Sequence, residues 1–224
     1  MRRGAVRWSS AEEAQKAFNK ACMQGDEATL AALLALEGEL ALDVHADNEF
    51  GFGLACMGGH VGCMAQLLAL IGPRRVDVHA DDEFAFRMAC FNGQLCAVDV
   101  LLGLDGDRTV DVNARDGWAL MRACSEGRLV VAQRLLALDD GRAVDVHLRG
   151  EAALRRAAKR KQGATVRLLL AGTGRHAPDP AVVRQLGLEG ARAEAVWAGA
   201  GLRGGRGVLV ACRVARRTAA RGRG

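Results

Sequence analysis

Residues 77–110 read DVHADDEFAFRMACFNGQLCAVDVLLGLDGDRTV, and this pattern returns at steps of 34 residues on both sides. Three columns of residues keep the spacing without a slip. They are the cysteines Cys22, Cys56, Cys90 and Cys124, the leucine runs containing Leu33, Leu67, Leu101, Leu135 and Leu169, and the aspartates Asp43, Asp77, Asp111, Asp145 and Asp179. A fixed period of roughly 20–50 residues is typical of stacked repeat units that cannot bury their apolar faces alone.

The composition indicates a core of small aliphatic side chains. Half of the 224 residues are hydrophobic, only 4% are aromatic, and there is no tyrosine. No apolar run reaches the roughly 18 residues of a membrane span, and the N-terminus lacks the apolar run of a secretory signal. Seven cysteines, mostly within predicted helices, favour a reducing compartment. We therefore expect a cytoplasmic or nuclear protein without a membrane segment.

The repeats divide the chain into an array with two extensions. We expect a flexible N-terminus over 1–9 and a repeat array over 10–172. The array comprises a half unit over 10–42, full units over 43–76, 77–110 and 111–144, and a capping unit over 145–172. Residues 173–224 hold ten arginines and only three acids, and much of this tail is rich in Arg, Gly and Ala. This composition predicts a largely disordered tail with one helix over 180–197.

Each full unit is predicted to contain a turn followed by two helices. An Asx-rich turn begins at the aspartate column. The first helices cover 50–57, 84–91, 118–125 and, in the capping unit, 152–159, and the second helices carry the leucine runs. A glycine break at Gly59, Gly93 and Gly127 separates the two helices of each full unit, and Lys161 replaces this glycine in the capping unit. In the half unit, Ser10 and Glu13 form a capping box, Gly25 ends the first helix, and Asp26 caps the second.

This organisation resembles the ankyrin repeat family. The resemblance is carried by Asp111-Val112-Asn113-Ala114, by the Asp116-Gly117 turn, by an Ala-Cys pair in place of the usual Ala-Ala, and by Gly59-His60 before a second helix. The family's Thr-Pro-Leu-His helix start is missing in every unit. Tetratricopeptide units have the same length, but their Trp, Leu-Gly and Tyr pattern is absent. The resemblance implies an all-α, ankyrin-like helical repeat solenoid that binds partner proteins.

No residue pattern predicts catalysis, a cofactor or a small-molecule substrate. Stacked helices hold equivalent cysteines roughly 8–10 Å apart, which is too far for a shared metal ion, so the cysteine column is predicted to be core. Histidines at 45, 79 and 147 form another column, in which Asn113 stands between positions 79 and 147. The replacement of histidine by asparagine indicates a shared hydrogen-bonding role in the turn. His60 is expected to cap its own helix. The paired acids at 47–49 and 81–83 are expected to face water at turn tips.

The resemblance places partner contacts at the turn tips and at the ends of the first helices. Phe91 and Met57 are the sharpest members, as either contact anchors or core residues. The surface is predicted to be apolar and acidic in the first units and basic in the last. The predicted contact residues are Asn48, Glu49, Met57, Asp82, Glu83, Phe91, Asn92, Arg115, Asp116, Ser125, Glu126, Arg149, Lys159 and Arg160.

Two function classes remain open from the sequence. The first is a non-enzymatic protein-binding module that uses these residues. The second is association with nucleic acid, RNA in particular, through the basic last unit and the Arg/Gly tail, because such segments bind single strands electrostatically. An enzyme is disfavoured because the candidate reactive residues do not converge.

Overall fold

A computed structural model describes residues 8–139 and 141–189 of the chain. This portion is all-helical, with eleven α-helices and four short 3-10 turns and without a β-strand. The helices are α1 Ala11–Gln24, α2 Glu27–Leu34, α3 Ala46–Gly58, α4 Val61–Leu68, α5 Ala80–Asn92, α6 Leu95–Leu102, α7 Ala114–Ser125, α8 Leu129–Leu136, α9 Leu148–Lys159, α10 Gly163–Leu170 and α11 Pro180–Gln185.

The helices pack in chain order as two layers. The first helices of the units, α1, α3, α5, α7 and α9, each contact the next one along the chain. The second helices, α2, α4, α6, α8 and α10, form a parallel series, and each also packs against the first helix of its own unit. This arrangement is compatible with a helical repeat solenoid, as the 34-residue spacing predicts.

One hydrophobic cluster runs through the described units. Every member of the cysteine column is fully buried, and the first leucine of each doublet from Leu33 to Leu135 is at most 1% exposed. A further column, missed in the sequence, fills the core with large side chains at Phe18, Phe52, Phe86, Leu120 and Leu154. Gly51 allows this packing, since a Cβ at Gly51 would lie 2.2 Å from the ring of Phe18.

The predicted helix ends of the half unit are confirmed, apart from one partner. Ser10 accepts a hydrogen bond from the backbone N–H of Glu13, and Asp26 accepts one from Thr29. Gly25 ends α1 in the left-handed conformation. The carboxylate of Glu13, however, accepts from the N–H and hydroxyl of Ser9 rather than from Ser10. Ser9 therefore takes part in the cap, although the sequence assigned it to a flexible segment.

Side chains from one unit cap helices of the unit before it. Arg74 and Arg108 donate to the carbonyls of Leu34 and Leu68, which end the second helices of the preceding units. His60 does not cap its own helix, so that prediction is wrong. Its Nε2 instead lies 2.9 Å from the carbonyl oxygen of Met23, in the last turn of α1. Orphan carbonyls at helix ends are thus satisfied between units.

The core continues beyond the predicted array boundary at Gly172. Helix α11 begins at Pro180, as predicted, but ends at Gln185, and its Val182 and Val183 belong to the common hydrophobic cluster. The rest of the predicted helix from residue 190 onward, and most of the Arg/Gly tail, lie outside the described residues. Within the described ranges, none of the helices is long and apolar enough to cross a bilayer.

Candidate functional site

Each full unit begins with a tight left-handed turn. In the first of them, Asp47, Asn48 and Glu49 have φ of 53°, 56° and 64°, and the same three positions are left-handed in the other units. As predicted, the aspartate column closes an Asx turn: Asp43 Oδ1 accepts from the N–H of His45 at 3.0 Å. A left-handed conformation costs an L-residue about 1–2 kcal/mol. The turn therefore depends on contacts that hold it in place.

A buried glutamate supplies such contacts. Glu83 is 4% exposed, and its Oε1 accepts a hydrogen bond from the N–H of Asp111, in the next unit, at 3.0 Å. The same oxygen lies 2.6 Å from Nδ1 of His79. We call this histidine, glutamate and next-unit aspartate N–H the inter-unit clasp. Equivalent clasps join His45, Glu49 and Asp77, and His147, Glu151 and Asp179.

The contacts of His79 favour its charged form. Nε2 of His79 lies 2.8 Å from the carbonyl oxygen of Asp107, while Nδ1 faces the carboxylate of Glu83. Because a carbonyl and an ionised carboxylate both accept, protons on both ring nitrogens satisfy both contacts. The hydrogen bond to Glu83 raises the pKa of His79, and the bond to Glu49 raises that of His45 in the same way.

The unit at 111–144 reaches the same result with different residues. Asn113 stands at the histidine position and Gly117 at the glutamate position. Asn113 Oδ1 accepts from the N–H of Asp145 at 3.0 Å, and its Nδ2 donates to the carbonyl of Ala143 at 3.0 Å. One amide thus replaces the carboxylate as acceptor, and it donates to a backbone carbonyl two residues beyond the one that the imidazole contacts in the other units. The predicted hydrogen-bonding role of this column is confirmed.

The clasps bury two residues that the sequence predicted as partner contacts. Glu49 and Glu83 were expected at water-facing tips, but they are 5% and 4% exposed. They resemble surface acids in the sequence because one of their partners, a backbone N–H, belongs to the next unit, while the histidine lies four residues earlier in the same turn. Their prediction as partner contacts is wrong. Asn48 and Asp82, immediately before them, are exposed as expected.

The exposed turn tips form ion pairs with one another. Arg115 donates from Nε to Asp82 at 2.9 Å and from Nη2 to Asp81 at 2.8 Å. One unit further, Arg149 donates to Asp116 at 2.8 Å. Four predicted contact residues therefore join adjacent tips and partly neutralise each other. Exposed pairs of this kind contribute little stability individually.

The first helices carry a partly exposed aromatic face beside these tips. We define the first-helix face by positions 50, 54 and 57 and their equivalents at 34-residue steps. Phe50 is 39% exposed, and its ring lies 6.5 Å from the partly buried ring of Phe84. In the next unit Trp118 lies 6.1 Å from Phe91. Phe91 and Met57 are both half-buried, so neither of the two predicted alternatives, contact anchor or core residue, holds alone.

Two arginines flank Trp118. Arg87, itself 3% exposed, places its guanidinium 5.2 Å from the ring centroid and donates to the carbonyls of Asp81 and Asp82. Arg122 lies 4.9 Å from the Phe91 ring and 5.4 Å from Trp118. Its Nε is enclosed and has no hydrogen-bond acceptor among the described residues. Arg122 is therefore a half-buried cation whose contacts are aromatic rings.

The remaining predicted contacts differ in their exposure. Ser125 is 1% exposed, so its prediction as a partner contact is wrong: it lies in the buried part of α7. Asn92 is half-buried and donates to the carbonyl of Met88. Glu126 lies 3.4 Å from exposed Arg160 in the next unit. Lys159 is exposed at the end of α9.

The cysteines of the repeated column are buried thiols. Burial raises the pKa of Cys22 and of Cys124 to about 12, and raises that of Cys56 and Cys90. Outside this column, Cys63 is buried, whereas Cys96 is exposed. Over residues 8–139 and 141–189 there is no group of three or more side chains arranged to hold a metal ion.

Sequence reasoning identified position 57 of the first-helix face, with Met57 and Phe91, but missed positions 50 and 54. Phe50, Phe84 and Trp118 were recognised only as helix starts, and Arg122 was not singled out. One signal was available in their 34-residue spacing, because an aromatic residue opens three successive first helices outside the core columns. Comparisons of the chain with protein-family models, with curated proteins and with solved structures found no match.

Proposed function

We propose that this chain is a non-enzymatic, ankyrin-like module that binds a partner protein on its first-helix face. The observation that carries the proposal is the row of partly exposed aromatic rings from Phe50 to Trp118. Aromatic and arginine side chains are enriched among the residues that dominate protein–protein binding. A helix that buries one side and shows rings on another has apolar surface left for a partner.

The residues that link the units support this assignment. The clasps hold the buried glutamates, and the ion pairs between turn tips hold the exposed Asp81, Asp82 and Asp116, in contacts within the array. These residues position the first helices rather than compete for a ligand. The ankyrin-like part of the proposal follows from the sequence resemblance, although a three-residue left-handed turn stands where that family has its finger. We also propose that the protein is located in the cytoplasm or the nucleus.

A photo-crosslinking experiment tests the proposal. The photoreactive residue p-benzoylphenylalanine replaces Phe91 on the first-helix face or Val130 on the second-helix layer, where Val130 is 50% exposed. We expect discrete crosslinked products in cell extract from position 91 and not from position 130. The same products from both positions, or none from position 91, would contradict the proposal.

Nucleic-acid binding stays a second candidate because of the last unit. Arg156, Lys159 and Lys161 are all exposed on or beside α9. The tail residues that the sequence argument also invokes lie outside the described ranges. Filter binding to a single-stranded RNA at rising salt separates the candidates, since phosphate contacts give a steep salt dependence. Retention that does not respond to salt would remove this candidate.

A further inference from the structure

The first-helix face changes character halfway along the array. Position 54 and its equivalents are Leu54, Met88, Arg122 and Arg156; position 57 and its equivalents are Met57, Phe91, Ser125 and Lys159. The column at position 54 therefore turns from apolar to cationic at the third unit, and the column at position 57 becomes cationic at Lys159, because Ser125 is buried. Since stacked units share one orientation, the partly exposed apolar members (Met57, Met88 and Phe91) and the cationic members (Arg122, Arg156 and Lys159) form two successive zones of one surface.

The charge of the whole array follows the same direction. Residues 8–76 contain nine Asp and Glu against four Lys and Arg, whereas residues 145–189 contain four acids against nine Lys and Arg. In each stretch one acid is buried in a clasp, Glu49 in the first and Glu151 in the second. One arginine in each, Arg74 and Arg175, is turned to a helix end in the preceding unit. The remaining charges therefore keep the imbalance of the composition.

Arg122 marks the boundary between the two zones. It lies over Phe91 and Trp118, at 4.9 and 5.4 Å, and no carboxylate of the described residues lies within ion-pair distance of it. Because its Nε is enclosed, Arg122 has its two terminal Nη nitrogens left for a carboxylate, and a guanidinium–carboxylate pair is among the strongest hydrogen-bonded contacts in proteins. Arg156 occupies the equivalent position one unit further, fully on the cationic side.

Building on the proposed partner-binding function, we propose that the first-helix face binds an acidic peptide segment in one direction. An apolar side chain of the segment packs on Met57 and Phe91, and carboxylates that follow it pair with Arg122 and Arg156. Neighbouring stacked helices lie roughly 8–10 Å apart. An extended peptide covers that distance in about three residues, so the carboxylates are spaced by about three positions.

A polyanion such as RNA fits this face less well. Its charge is distributed along its whole length, so one end would lie against the acidic first units. A peptide can place apolar residues there and keep its carboxylates for the last units. The division of charge along the array is therefore what favours a peptide with an apolar and an acidic end.

A display selection with random dodecapeptides on the full chain tests this inference. We expect enriched peptides that carry an aliphatic or aromatic residue followed by Asp or Glu at about three-residue spacing. A synthetic peptide from the selection should lose at least about tenfold in affinity with Arg122→Gln, since a charge-assisted hydrogen bond is lost. Arg156→Glu, at a fully exposed position, provides a second variant that does not touch the aromatic cluster.

The matched control is Arg167→Gln, which removes an exposed arginine from α10 in the second-helix layer. We expect it to leave the affinity unchanged. Three results would each overturn the inference. They are enrichment of basic or uncharged peptides, an equal loss of peptide affinity with the Arg122 and Arg167 variants, and displacement of the bound peptide by single-stranded RNA at a lower concentration than by the free peptide itself. Peptide binding on the first-helix face without a preference for acidic peptides would overturn this inference but leave the proposed protein-binding function intact. If the selection yields no peptide and position 91 yields no crosslinked product, the inference and the proposed function are both wrong.

Discussion

The inter-unit clasp predicts that two substitutions, each damaging alone, compensate each other. His79→Asn combined with Glu83→Gly reproduces in the second full unit the residues that the third unit carries at Asn113 and Gly117. In that unit the asparagine amide reaches both partners, at 3.0 Å each. The double variant should therefore recover most of the stability that either single variant loses.

The magnitudes follow from the contacts that each change removes. Glu83→Gly leaves the N–H of Asp111 and the imidazolium of His79 without their carboxylate. The His79 side chain is 41% exposed and can be hydrated once Glu83 is removed, so the lost charge-assisted hydrogen bond and the unpaired N–H cost about 2–4 kcal/mol. Glycine recovers about 1 kcal/mol at a left-handed position, and the net loss is about 1–3 kcal/mol. His79→Asn alone leaves the carboxylate of Glu83 buried without its cation and should cost about 2–4 kcal/mol.

The double variant should lie within about 1–2 kcal/mol of the natural protein, because the new amide supplies both hydrogen bonds. The singles and the double form a double-mutant cycle, measured by urea unfolding followed by circular dichroism. Asp47→Gly, at an exposed left-handed residue in the equivalent turn of the first full unit, isolates the effect of backbone strain. If the two single losses simply add in the double variant, the clasp does not act as a unit and the reasoning is refuted.

Three further predictions follow from the described residues. Hydrogen bonding raises the pKa of His45 and His79 above the ordinary 6.5, so the stability that these histidines contribute is fully present below about pH 6.5 and is lost as pH rises through the raised pKa values. The urea midpoint of unfolding should therefore fall between pH 6 and pH 8, and the double variant at positions 79 and 83 should flatten that decline. An unchanged decline in the double variant would exclude a charged His79. Iodoacetamide at neutral pH should modify Cys96 in the folded protein and spare Cys90, whose burial raises its pKa; equal labelling, read by mass spectrometry, would contradict the buried column. Gly51→Ala should destabilise the array by about 1–3 kcal/mol, because the added methyl group overpacks against Phe18. Gly163→Ala, which has open space around its Cβ, should not destabilise it. Equal unfolding midpoints for the two variants would argue against the close contact between Gly51 and Phe18.

The repeated core could be read from the sequence, whereas the turns could not. Cys56 and Leu67 recur at one period because equivalent positions face the same neighbour in every unit, so periodicity alone identifies them. Glu83 resembles a surface acid, and its burial depends on His79 and on a backbone N–H from the next unit. The only sequence signal is that histidine and glutamate, four residues apart, recur in three units and are both replaced in the unit at 111–144.

The surface was predictable in its charge but not in its detail. The basic last unit follows from composition, and Lys159 and Arg160 are exposed as expected. The pairing of Arg115 with Asp82 depends on how far successive turns are offset, which no local pattern specifies. Trp118 and Arg122 likewise meet Phe91 only because α5 and α7 pack side by side. Contacts between units therefore decide which residues remain for a partner.

Removal of one whole unit tests most directly that the chain is a stack of equivalent units. Deleting residues 77–110 joins Val76 to Asp111, so that the N–H of Asp111 takes the place of Asp77 beside Glu49. We predict a helical protein that still unfolds cooperatively in urea, while deletion of the 24 residues 77–100, which breaks the period, abolishes the transition. Loss of cooperative unfolding in both deletions, or its retention in both, would contradict the repeat array on which the function proposed here depends.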